Sequence, residues 1–218
     1  CALDGGAFQD CTSPAVFSSL PDGSHTTSIQ ATDLVGNKGL AVSYNWTVDT
    51  AVPLFSFGNV VPAANETGGN ATNAQLVSVE LMANESATFS CSIDVGAYTA
   101  CTSPFTTFIA AEGSHSLAVT ATDMAGNTST SQLLTWFMDF TSPQISFGAM
   151  TPSVASFVNS SQLVVNINVT EPVRFSATLD GVPLSQMSSP MTLSGLAEGP
   201  HSLVVNGVDS VGNIANTI

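Results

Sequence analysis

CSIDVGAYTACTSP at 91–104, followed by EGSHSLAVTATDMAGN at 112–127, occurs in this chain in three versions. The first reads CALDGGAFQDCTSP at 1–14 and DGSHTTSIQATDLVGN at 22–37. The third reads ATLDG at 177–181, SSP at 188–190 and EGPHSLVVNGVDSVGN at 198–213. His25 to His115 is a step of 90 residues, and His115 to His201 a step of 86. A period of that size marks an array of similar small domains and points away from an enzyme, toward a modular structural chain.

Within the middle copy, Leu117, Val119 and Ala121 alternate with Ala118, Thr120 and Thr122, the period of a half-buried strand, and the run ends in a Gly-Asn turn. The matching face carries Thr27, Ile29 and Ala31 in the first copy and Leu203, Val205 and Gly207 in the third. A second run follows the turn, with Tyr44, Trp46 and Val48 in copy one and Leu134, Trp136 and Met138 in copy two. Earlier strands are expected at 54–57, 76–81 and 88–93, with counterparts at 144–147, 163–169 and 174–179. No window has sustained helical spacing. About seven short strands per repeat, divided by turn signals, predicts an all-β fold of tandem immunoglobulin-like β-sandwich domains.

The joints VDTAVP at 48–53 and MDFTSP at 138–143 place the boundaries. A complete domain is expected at 50–139, flanked by 1–49 without its opening strands and by 140–218 without its last strand, as in a window on a longer array. The four-residue difference in period falls between Asn59 and Asn73, a Gly/Asn-rich loop where insertion costs little.

Of the 218 residues only Lys38 and Arg174 are basic, against sixteen Asp and Glu, for a formal net charge of −14. With 8% charged and 44% hydrophobic residues, the chain is no disordered acidic tail. Nucleic-acid binding needs cationic side chains to displace phosphate counterions, so that class is excluded, and docking on anionic lipid is disfavoured for the same reason. No apolar run is long enough to span a membrane. No leader opens the chain, so any export signal is expected to have been removed or to lie upstream.

The four cysteines pair by position: Cys1 with Cys11, and Cys91 with Cys101. The third copy has Ala177 and Met187 at these places, so both members are lost together, as a disulfide requires. Zinc is the rival, but no histidine stands at ligand spacing. Two disulfides imply an oxidising compartment, hence an extracellular or cell-surface location.

The combined pattern CxLDGxxFxxCTSP, GxHxxxVxAxDxxGN and YxWxVDxxxP resembles the Ig-like repeats of bacterial surface adhesins and of algal extracellular proteins, including mastigoneme-type fibres. The resemblance spans essentially the whole chain and implies a stalk or fibre module rather than a catalyst. Giant adhesin stalks of this kind hold calcium between domains.

The recurring histidines, one per repeat, cannot form a ligand cluster. Each follows an acidic-Gly turn and starts an inward strand face, a structural role. No nucleophile elbow, HExxH or phosphate loop is present, so no catalytic residues are expected. Asp33, Asp123 and Asp209 open DxxGN turns, where a carboxylate caps backbone N–H groups. The other reading is calcium, held by Asp33, Asp49, Asp123 and Asp139, with the joint residues Asp49 and Asp139 approaching a turn of a neighbouring domain. No other cofactor is called for.

Seven of the fourteen asparagines begin an Asn-x-Ser/Thr sequon. Asn45, Asn65, Asn70, Asn84, Asn159 and Asn168 are candidate glycosylation sites, whereas Asn127 sits in a turn that would block the transferase. The expected function is a disulfide-clipped spacer whose partners are neighbouring repeats and other copies in a fibre. The alternative is a carbohydrate- or protein-binding module using loop-end aromatics such as Phe8, Tyr98 and Phe105.

Overall fold

The computed structural model describes residues 1–61, 71–153, 157–185 and 187–218. Among them there is no helix, and every regular element is a strand. The first repeat contributes β1 (Ala2–Leu3), β2 (Gly23–Ile29) and β3 (Val42–Val48), which form one antiparallel sheet in that order. The middle repeat contributes β4 (Phe55–Val61), β5 (Ala71–Thr72), β6 (Leu76–Ala83), β7 (Ala87–Ile93), β8 (Thr99–Cys101), β9 (Phe105–Phe108), β10 (Gly113–Asp123) and β11 (Gln132–Met138). Its two sheets have the orders β4-β6-β9 and β5-β11-β10-β7-β8. The third repeat contributes β12 (Ile145–Thr151), β13 (Gln162–Val169), β14 (Arg174–Leu179), β15 (Val182–Pro183), β16 (Met191–Ser194) and β17 (Leu203–Val208), in sheets β12-β13-β16 and β15-β14-β17.

The alternation read from the sequence is the burial pattern observed in the middle repeat, whereas in the first repeat Ile29, Ala31 and Tyr44, expected on the inward face, are exposed because few residues cover that face there. Along β10, His115, Leu117, Val119, Ala121 and Asp123 are buried, and the residues between them are not. Along β6, Val77, Val79 and Leu81 are buried in the same rhythm. Successive side chains of a strand point to opposite faces, so one apolar face per strand suffices to make a sandwich core.

In the third repeat the core is formed by Ile145, Val165, Ile167, Met191 and Leu193 from one sheet, with Ala177, Val205 and Ala215 from the other side. Gly207 takes the place of Ala31 and Ala121, and the reason is local. A Cβ there would come within 2.8 Å of the Ile145 Cδ1.

Two compact units make up the chain. One comprises Cys1–Ser56, Met82–Ser90 and Val119–Gln132, and the other Phe57–Leu81, Cys91–Ala118 and Leu133–Ile218. The first contains the sheet β1-β2-β3 and the joint after Val48; the second contains the whole third-repeat sandwich.

Candidate functional site

Both joints between repeats are built from the same parts, and this recurrence makes them the candidate site. After β3, Asp22 Oδ1 accepts the Thr50 N–H at 3.1 Å and the Thr50 hydroxyl at 2.8 Å. After β11, Glu112 Oε1 accepts the Phe140 N–H at 2.6 Å and the Thr141 hydroxyl at 2.8 Å. Asp22 and Glu112 occupy equivalent places, three residues before the repeat histidine. The preceding repeat thus ties down its own exit segment.

The following repeat binds the joint from the other side. The Asn127 Nδ2 donates to the Asp49 carbonyl at 3.0 Å, and the Asn213 Nδ2 donates to the Asp139 carbonyl at 3.0 Å. Each asparagine is itself fixed by the aspartate that opens its DxxGN turn. Asp123 Oδ1 accepts the N–H groups of Ala125, Gly126 and Asn127, and its Oδ2 accepts from the Asn127 amide. Asp209 does the same with Val211, Gly212 and Asn213. Gly126 and Gly212, at φ 97° and 101°, supply the left-handed backbone these turns need. Burial opposes ionisation of Asp123, but the Asn127 amide and the backbone N–H groups outweigh it and hold its pKa below the ordinary carboxylate value.

At each joint three carboxylates converge. Asp49, Glu85 and Asp123 bring one oxygen each within 4.8 Å of one another, and so do Asp139, Glu171 and Asp209. Burial, followed by the negative charges of Asp139, Asp209 and Glu112, pushes the Glu171 carboxyl above its ordinary pKa. An all-oxygen, anionic donor set of this kind suits a hard divalent cation such as calcium. Of the four aspartates considered for calcium from the sequence, Asp49 and Asp123 lie in one of these groups and Asp139 in the other. Asp33 is different: it is exposed, belongs to neither group, and caps the Val35 and Asn37 N–H groups of its own turn.

Sequence reasoning missed Glu85 and Glu171 and did not assign Asp209 to a site. A signal was available, since Glu85 to Glu171 and Asp123 to Asp209 are both steps of 86.

Both disulfides form as expected, with Cα–Cα separations of 5.8 Å for Cys1–Cys11 and for Cys91–Cys101. Beside each hairpin the repeat histidine makes one constant set of contacts. Its Nδ1 lies 2.8, 2.7 and 2.7 Å from the Oδ2 of Asp4, Asp94 and Asp180 for His25, His115 and His201 respectively. Its Nε2 faces the carbonyl four residues earlier, of Pro21, Ala111 or Ala197.

Among the sequons, Asn45, Asn84, Asn159 and Asn168 are exposed. Asn65 and Asn70 lie outside the described residues. The Asn127 amide is fully engaged at the joint, as described above. No helix of the described residues is long and apolar enough to cross a membrane.

No protein-family model matches the chain, and no curated protein sequence does. Solved structures do match. The fibronectin(III)-like modules of Clostridium thermocellum CbhA are 14% identical, with a TM-score of 0.46 over 76% of this chain and 90% of theirs. Domains FN1–FN3 of chicken CNTN1 are 14% identical, with a TM-score of 0.34 over 89% and 73%. A solved chain from a 1.5-MDa bacterial ice-binding adhesin is 16% identical, with a TM-score of 0.36 over 91% of this chain and 72% of that solved chain. The chain is thus similar, at low identity, to fibronectin III-like modules and to a bacterial adhesin.

Proposed function

We propose that this chain is a structural repeat segment of an extracellular fibre, stalk or cell-surface adhesin, in which each repeat acts as a disulfide-clipped spacer. The observation that carries the reading is the double fastening of both joints. A carboxylate of the preceding repeat and an asparagine of the following one hold the same few linker residues. Repeats divide at 1–49, 50–139 and 140–218, and calcium at Asp49, Glu85 and Asp123, and at Asp139, Glu171 and Asp209, neutralises the carboxylates at each joint. Two disulfides in a chain with no free cysteine support an oxidising, extracellular setting.

Calcium titration by calorimetry tests the joint. Two ions should bind per chain, with dissociation constants in the range of about 0.1–1 mM typical of extracellular modules. Glu171→Gln should remove one of them and leave the other. Failure to bind calcium at millimolar concentration would end the calcium reading. The spacer reading has its own test in small-angle scattering of Asn127→Ala and Asn213→Ala. Each variant should broaden the distribution of interatomic distances; a wild-type distribution already as broad would refute a stiff joint.

The exposed sequons supply a further expectation: the secreted chain carries N-linked sugar. Intact mass should exceed the 22.3 kDa of the polypeptide, and peptide mapping should find Asn127 bare. A native chain weighing 22.3 kDa would overturn it. The competing ligand-binding reading rests on Phe8 and Tyr98, each 48% exposed on a cysteine hairpin. Retention on immobilised glycans that is lost in Phe8→Ala and Tyr98→Ala would favour it.

A further inference from the structure

Every repeat contains a histidine whose two ring nitrogens both face acceptors. A carbonyl cannot donate, so Nε2 must carry a proton toward Pro21, Ala111 or Ala197. The facing aspartate is an acceptor as well, and its other oxygen is occupied by the N–H of the residue after the histidine: Thr26, Ser116 or Ser202, at 2.8, 2.8 and 2.7 Å. A neutral imidazole has one N–H and can satisfy only one of the two acceptors. An imidazolium satisfies both.

The aspartates stand at hairpin corners, with φ of 49°, 48° and 52° at Asp4, Asp94 and Asp180. Left-handed backbone at a non-glycine residue costs energy and persists where the surroundings hold it. Here the hold comes from the opposite strand in two parts: the backbone of Thr26, Ser116 or Ser202 accepts the aspartate N–H and donates to its Oδ1, and the histidine ring adds a contact to its Oδ2. We propose that the pairs His25–Asp4 and His201–Asp180 are proton-dependent clamps that lock the hairpin corner to the strand when the imidazole is cationic and loosen it when the proton leaves.

The surroundings leave these pairs as the governing charges. The rings facing His25 and His115 are the neutral indoles of Trp46 and Trp136, at centroid distances of 5.8 and 6.2 Å. Asp22 and Glu112, three residues before those histidines, are turned to Thr50 and Thr141. At His201, Asp180 is the charged partner, and Glu198 stands three residues before it.

The Pro21 carbonyl and then Asp4 raise the pKa of His25; the Ala197 carbonyl and then Asp180 raise that of His201. The Thr26 N–H and then His25 lower the pKa of Asp4, and His201 followed by the Ser202 N–H lowers that of Asp180. For Asp94, burial works in the other direction, but His115 and the Ser116 N–H outweigh it.

A raised folded-state histidine pKa gives stability that is complete below the unfolded value of about 6.5 and is lost as pH rises through the folded value. A lowered aspartate pKa gives stability that is present above about 4 and is lost as pH falls through the folded value. The clamps at His25–Asp4 and His201–Asp180 are therefore strongest in mildly acidic medium, between about pH 4 and 6.5.

The test uses the full chain with its disulfides intact. The three imidazole Cε1–H resonances are assigned with single His→Gln variants and followed from pH 5 to 9 by NMR. His25 and His201 should titrate above 6.5, and Asp4→Asn and Asp180→Asn should move their respective partners down. The urea midpoint of the wild type should fall between pH 6 and 8.5, and with it protection of the Thr26 and Ser202 amides against hydrogen exchange. If these rings titrate at or below 6.5, or if midpoint and protection are constant across that range, the clamp is refuted. The wild-type titration decides even if a variant fails to fold.

Discussion

Leu117→Ala should destabilise the middle repeat by about 3 kcal/mol, within the range for removing a buried leucine and leaving a cavity. Leu117 is 0% exposed at the centre of β10, flanked on its face by Val119 and His115. The array contains its own control, because the same sheet position is Leu203 in the third repeat and Thr27 in the first. Leu203 is half-buried, so Leu203→Ala should cost less, about 1–2 kcal/mol. Thr27 is also half-buried, and its hydroxyl donates a 3.3 Å hydrogen bond to the Ala2 carbonyl. Thr27→Ala should cost under about 1 kcal/mol. Urea unfolding followed by Trp136 fluorescence in a Trp46→Phe background reports on the middle repeat, and hydrogen exchange reads the other two. Equal losses at the three positions would show that burial at this face does not govern stability.

Replacing both Cys91 and Cys101 by alanine should also lower stability by about 3 kcal/mol, through a different term. The bridge spans a sequence separation of 10, and on the chain-entropy model closing such a loop restricts the unfolded chain by that amount. The cost in the folded state should be small. In the third repeat, Ala177 is buried at the position of Cys91, and Met187 packs against the core at that of Cys101. The sandwich thus tolerates apolar side chains there without a crosslink. Reduction of the wild type should reproduce the effect of the double substitution on the urea midpoint. A midpoint unmoved by either treatment would mean that the disulfides are not what holds these hairpins.

These expectations rest on features of unequal legibility. The strands were readable where one face is apolar: 174–179 and β14 coincide, and the expected strands at 76–81 and 163–169 differ from β6 and β13 by one or two residues. The short β1, β5, β8, β9, β15 and β16 were not expected, because two to four residues carry too little alternation to register. The cysteine pairs were legible because substitution in the third repeat removes both members together.

What the sequence determined by itself is therefore local and periodic: which residues alternate, where the chain turns, and which positions recur every 86 or 90 residues. Alternation states which face of a strand is buried, and a DxxGN turn states that a carboxylate caps its own backbone. Neither states which strand ends meet. Asp49, Glu85 and Asp123 are separated by 36 and 38 residues, yet their carboxylate oxygens lie within 4.8 Å. Sheet pairing and the closure of each repeat on its joint bring them together. The same holds for the histidines. Their sequence position gave a strand start, but only the folded hairpin places a carboxylate on one ring nitrogen and a carbonyl on the other. Tertiary structure decided these charges' surroundings, because electrostatic partners are chosen by distance in space, whereas periodicity records only distance along the chain.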